Sequence, residues 1–154
     1  MLMKVKTENI KRDYATYQVA LKLLLRKGNE VLFLRDVPSG YWDLPGGRID
    51  NVESKVPLDK ILMREIREEL GEKVKYKLGC PIFQFRRETK THNIYNFLTV
   101  YEGKYIKGNI KISFEHSSYK WVNPKNYKFK EKDFFNKEEY LAVLGYFKKV
   151  WIMQ

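Results

Sequence analysis

Five carboxylates gather in one short stretch of a chain that is otherwise basic. Asp50 and Glu53 follow the glycine pair Gly46-Gly47, and Glu65, Glu68 and Glu69 sit in the run Arg64-Glu65-Ile66-Arg67-Glu68-Glu69-Leu70-Gly71. The 154 residues carry a net charge of +11, so this acidity is local. Like charges at helical spacing repel unless something positive sits among them. A divalent cation would serve, and ligands made only of oxygen favour Mg²⁺, or Mn²⁺, over zinc.

The element that must carry these acids is a helix. Counting about 100° per residue from Glu65 puts Glu69 about 40° to one side and Glu68 about 60° to the other, so one arc holds all three. Leu62, Ile66 and Leu70 form the adjoining apolar stripe, which places the acidic arc at the rim of a cleft. Pro57 suits the first turn and Gly71 a left-handed cap. The string REIREEL alone also fits a solvated helix laced with pairs such as Arg64–Glu68. Such a helix requires neither the glycine pair nor Asp50 and Glu53.

Taken together, these residues resemble the Nudix box, G-x5-E-x7-R-E-U-x-E-E-x-G-U with U bulky and aliphatic. Gly47 and Glu53 match its first interval; Arg64, Glu65, Ile66, Glu68, Glu69 and Gly71 match its second half. The approach Tyr41-Trp42-Asp43-Leu44-Pro45-Gly46-Gly47 is similar to the aromatic-x-Leu-Pro-Gly-Gly segment of that family. Two departures stand out. Ten residues separate Glu53 from Arg64, a three-residue insertion placed around Lys55-Val56-Pro57, which a loop absorbs at small entropic cost. Glu72 occupies the last, aliphatic position.

The resemblance implies a fold, an α/β/α sandwich with a mixed sheet, and one hydrolase domain over residues 1–154. Strand material at 17–25 and 31–34 is joined by a turn at 27–30. Further strands are expected at 74–85, interrupted at Gly79-Cys80-Pro81, at 94–101, and near 119–122. Asn136-Lys137-Glu138-Glu139 has capping-box form and opens a last helix with the stripe Tyr140, Leu144, Phe147 and Trp151. No apolar run approaches a membrane span, and the lone Cys80 reads as a buried thiol in a reducing cytoplasm. His92 and His116 are isolated in sequence, and ordinary structural or surface roles are expected for both.

The resemblance further implies hydrolysis of a diphosphate linkage in a nucleoside diphosphate joined to another group, by water attack at phosphorus. A polyphosphate repels hydroxide, so the reaction needs neutralised charge and a positioned water. Glu65, Glu68 and Glu69 are the expected metal ligands. Arg64 is expected to orient Glu53 through a charge-assisted pair. These five form the expected catalytic set; the general base is one of the three helix glutamates or another carboxylate such as Glu115. Gly46, Gly47, Trp42, Arg86 and Tyr95 are the expected substrate contacts, with Trp42, Phe83, Phe85, Tyr95 and Phe97 offering rings for stacking. The nucleotide could be a triphosphate or a nucleotide derivative. The alternative is a non-catalytic nucleotide- or RNA-binding module of the same fold, whose usual mark is loss of the helix carboxylates. The basic balance would attract polyanions, with an RNA 5′ end standing behind a small nucleotide as partner. Many members of the family dimerise, so a homodimer is compatible, although no segment specifies an interface.

Overall fold

The first strand, β1 (Tyr17–Lys27), sorts its side chains by the two-residue period of extended chain. Leu21, Leu23 and Leu25 enter one apolar cluster, whereas Ala20 and Leu24 enter another on the opposite face of the sheet. Lys22 is the charged member of that second row and is also buried. The computed structural model describes residues 11–89 and 93–152, so His92 lies outside the described residues.

Strand β1 turns at Gly28 (φ 59°) into β2 (Glu30–Asp36). The two pair only near the turn, Arg26 with Val31 and Lys27 with Glu30. Beyond it they splay. Into that gap come β3 (Trp42–Asp43), paired with β2, and β4 (Gly46–Arg48), paired with β1. The long strands β5 (Lys75–Glu88) and β6 (Tyr95–Lys107) pair antiparallel, and β6 lies parallel to β1 from Tyr17 to Arg26. A last strand, β7 (His116–Val122), closes the other edge of β2. The seven-stranded sheet is therefore mixed.

One helix covers each face. Helix α1 (Leu58–Leu70) buries Ile61, Leu62, Ile66 and Leu70 against Leu21, Leu23, Leu32 and Leu34. Each such side chain contributes about 1.5–3 kcal/mol by leaving water. Helix α2 (Lys137–Phe147) packs Val143 and Phe147 against Phe33, Phe85 and Val100. The α/β/α layering expected from the sequence is the one observed. Among the described residues no helix is long and apolar enough to cross a membrane.

Local expectations fare unevenly. Pro57 is the N-cap of α1, and Gly71 ends it at φ 88°, but with ψ 165° it is not the helical left-handed cap expected. Instead the carbonyls of Leu70 and Glu69 accept from the N–H groups of Lys111 and Ser113. Gly79-Cys80-Pro81 does not break β5; the strand runs through with register shifts around Pro81. Cys80 is exposed, not buried, because it falls in that bulged stretch. Strand β7 starts at His116, earlier than expected. In α2 the buried positions are Glu139, Val143 and Phe147, whereas Tyr140 and Leu144 of the expected stripe are only partly covered. The capping box is half formed: Asn136 Oδ1 accepts from the Glu139 N–H at 2.8 Å, while the Glu139 carboxylate turns to Arg87.

Candidate active site

The glycine pair lies where β4 presses on β1. Gly46 has φ 136°, and a Cβ there would stand 2.0 Å from the Leu21 carbonyl oxygen. A Cβ on Gly47 would stand 2.4 Å from Glu65 Oε2. Both glycines are thus required by close approach, the first to a neighbouring strand and the second to a carboxylate of α1. The Gly46 N–H donates to Glu69 Oε2 at 2.8 Å, tying the loop to the helix.

Arg64 organises the outer side. Its Nε donates to Glu53 Oε1 at 2.6 Å, and its terminal nitrogens donate to Glu65 Oε1 at 2.8 Å and Glu68 Oε2 at 3.0 Å. Glu53 Oε2 also accepts from the Asp50 N–H at 3.0 Å. Arg64 therefore reaches Glu53 despite the longer spacing. The extra residues are taken up by the turn at 54–56 that leads into Pro57, where the Val56 N–H donates to the Glu53 carbonyl at 2.9 Å. The guanidinium binds one oxygen of each of Glu65 and Glu68 and leaves the second oxygen of each outside those bonds.

The inner side is a cleft of about 690 Å³ lined by Lys22, Gly46, Gly47, Glu69, Glu115 and His116, with Arg48 and Arg87 on its walls. Ligand atoms of Glu69, Glu115 and His116 lie within 4.8 Å of one another. Burial raises the Glu69 carboxyl to about 8, against the pull of nearby Lys22 and the Gly46 N–H. Burial likewise raises Glu65 and lowers the imidazole of His116. Arg64, bonded to Glu53, holds that carboxyl below its ordinary range. His116 Nδ1 is buried with no partner among the described residues. A buried carboxyl that resists ionisation, grouped with the exposed Glu115 and an unpartnered ring nitrogen, is what a divalent cation would satisfy. The donor set fits, and members of this fold family generally use such a metal. A smaller hollow of about 290 Å³ between α1 and β5, around Met63, Arg67 and Tyr76, holds no comparable set.

The expected residues are distributed unequally. Gly46, Gly47 and Glu69 line the cleft. Glu65 lies under Gly47, and Glu68, with 58 % of its side chain exposed, lies on the outer side with Arg64. Trp42 is buried against Phe33, with the Arg35 guanidinium 3.6 Å over its ring, so it is a core residue and not a stacking surface. Arg86 points away from the cleft and pairs with Glu138 at 3.0 Å. Tyr95 is exposed, its hydroxyl donating to Glu88 at 3.3 Å. Phe83 and Phe85 pack with the α2 core. The rings that do line the cleft are Phe114, almost fully exposed, and Phe135, which stacks on Arg87 at 3.9 Å.

His116 is no ordinary surface residue, and sequence reasoning did not single out Lys22, Asp43 or Glu139. Lys22 Nζ donates to Asp43 Oδ2 at 3.0 Å. Burial would lift the Asp43 carboxyl, but Arg87 and Lys22 hold it down to about 2. The available signal was a lysine at the centre of the apolar run 19–25, where β1 must be covered on both faces.

Residues 16–143 match the NUDIX domain. The nucleoside triphosphatase NudI of Escherichia coli O139:H28 is 34% identical over 99 residues, covering 60% of this chain and 68% of its own length. NudI of Klebsiella pneumoniae strain 342 is 31% identical over 102 residues, covering 61% and 70%. The crystal structure of a MutT protein from Methanosarcina mazei Go1 superposes with a TM-score of 0.66 at 23% identity, covering 90% of this chain and 95% of that one. With the glycine loop, the carboxylate helix and the layered sheet all in place, the chain belongs to the Nudix family of pyrophosphohydrolases.

Proposed function

We propose that this protein hydrolyses a diphosphate linkage of a nucleoside triphosphate or a closely related nucleotide in a Mg²⁺-dependent reaction. The observation that carries this reading is the convergence of Glu69, Glu115 and His116 beneath the Gly46-Gly47 loop, at the floor of a cleft walled by Arg48 and Arg87. The relatives named nucleoside triphosphatases favour a triphosphate.

Glu69 and Glu115, with Glu65 and Glu68 from the same helix, would hold the cation. When bound it would neutralise phosphate oxygens and acidify a coordinated water. The chain's own residues supply the rest. Arg48, exposed at the lip and bonded to Gln18 Oε1 at 2.9 Å, could turn to a phosphate oxygen. Glu115 is exposed at the cleft and could accept a proton from the attacking water through the oxygen not given to the cation. Arg64 keeps Glu53 and the α1 carboxylates in register. Phe114 and Phe135, which line the cleft, offer rings against which a base could stack.

The test is product release from a panel of nucleoside triphosphates, dinucleotides and nucleotide sugars, with and without Mg²⁺. Metal-dependent release of pyrophosphate or phosphate is expected, together with its loss in Glu68→Gln and Glu69→Gln variants that retain the fold. Full activity in both variants would remove this assignment.

A further inference from the structure

Along the floor and wall of the cleft, and from there to Glu139 in the core behind, four buried charged side chains from four elements form one connected chain. Lys22 of β1 bonds Asp43 of β3 at 3.0 Å, Arg87 of β5 bonds the other Asp43 oxygen at 2.9 Å, and Arg87 Nε bonds Glu139 of α2 at 2.9 Å. Their side chains are 3–10% exposed. Buried ion pairs of this kind are costly to desolvate and often add nothing over well-packed apolar groups. Stability alone is therefore a poor reason for them.

Where the chain ends is more informative. Lys22 Nζ also donates to the Gly46 carbonyl at 3.3 Å, and the Gly46 N–H donates to Glu69 Oε2 at 2.8 Å. Gly46 is thus clasped on both sides, its carbonyl by Lys22 and its N–H by Glu69. Glycine has no side chain to hold its own dihedral angles, and at φ 136° this one sits outside ordinary conformations. The restraint has to come from its partners.

We propose that Lys22 is a positioning residue for the hydrolysis: locked by Asp43, it fixes the Gly46 carbonyl and so the N–H that aims Glu69, while Arg87 and Glu139 anchor the clamp to α2. This rests on the reading of Glu69 as a cation-binding carboxylate. Simple electrostatics points the opposite way. A lysine beside the site repels a second cation, so if charge were its only contribution, removing it would tighten metal binding. The opposed signs make the proposal testable.

The experiment measures Mn²⁺ binding to the wild type and to Lys22→Met by electron paramagnetic resonance of free Mn²⁺. It also measures kcat and KM for whichever triphosphate is turned over. In Lys22→Met the Mn²⁺ dissociation constant is expected to rise about tenfold and kcat to fall by about the same factor. Substrate KM should move by less than about twofold, and Lys22→Arg should recover most of the loss. Asp43→Asn, which releases Lys22 at nearly constant volume, should weaken Mn²⁺ in the same direction, and the double variant should be no worse than the poorer single one. An unchanged or smaller dissociation constant in folded Lys22→Met, or in Asp43→Asn should the first variant not fold, overturns the proposal. A wild type that binds no Mn²⁺ would instead strike down the reading of Glu69, before any variant is compared.

Discussion

Replacing Gly47 with alanine should separate folding from function at this site. The added Cβ would lie 2.4 Å from Glu65 Oε2 and 2.5 Å from its Cδ, whereas ordinary contact begins near 3.4 Å. The carboxylate must retreat by about 1 Å to restore a normal van der Waals distance. Because it is the far end of a flexible side chain, the backbone need not move. The retreat weakens one partly exposed pair to Arg64, worth about 1 kcal/mol or less. An off-rotamer side chain adds about 0.5–1.5 kcal/mol. Alanine returns about 0.4–1 kcal/mol through the unfolded chain. The net cost is therefore about 1 kcal/mol, a fall of about 2–4 °C in melting temperature for a domain of this size. Activity should respond far more, since a displacement of about 1 Å in a catalytic group costs about 100-fold. Gly46→Ala is the contrast. There the obstacle is backbone, the Leu21 oxygen at 2.0 Å and Lys22 Cα at 2.8 Å, so the variant should fail to fold properly. Thermal melting and steady-state kinetics on the purified variants decide the matter. A Gly47→Ala protein with wild-type kcat would refute the claim that Glu65 needs its seat beneath the loop.

Two further perturbations follow from the same geometry. Burial lifts Glu69 from 4.5 to about 8, so the native state keeps a proton that the unfolded chain has lost. Metal-free stability should therefore fall as pH climbs through that window, and Glu69→Gln should flatten the slope. Urea unfolding at about pH 5 and about pH 8 measures it, and an unchanged slope in the variant would show that another group is responsible. Arg87→Met strands the buried Glu139 carboxylate and leaves Asp43 to Lys22 alone, and should cost about 3–5 kcal/mol in urea unfolding. Its sequence neighbour Arg86 is paired only at the surface, so Arg86→Met should melt near the wild type; equal losses in the two would mean that burial does not set the cost.

The local features were legible because they depend on neighbours in the chain. Helical periodicity placed Glu65, Glu68 and Glu69 on one arc, and the intervals of the box set the glycine pair and Glu53 ahead of them. The insertion around Lys55-Val56-Pro57 was readable as a loop, and Arg64 reaches Glu53 because the residues after Glu53 fold into a turn closed by the Val56 N–H on the Glu53 carbonyl. The α/β/α layering was expected from the family resemblance, and the order of strands on both sides of a central helix, with a further helix at the end, agrees with it.

What the chain pattern left open was which side chains from distant segments meet. Trp42 looked like a cleft residue because it precedes the glycines, yet a large ring gains more by filling the core under Arg35 and beside Phe33. Arg86 and Arg87 are indistinguishable in sequence, and strand alternation turns one to Glu138 outside and the other to Asp43 within. His116 and Glu115, separated from Glu69 by more than forty positions, join it only because β7 pairs with β2 beside the splayed β1. Periodicity acts within a segment and so can be read from the residues in order. Burial, and the shifted carboxyls it creates, depend on how segments far apart in sequence are stacked, and only the folded chain decides that.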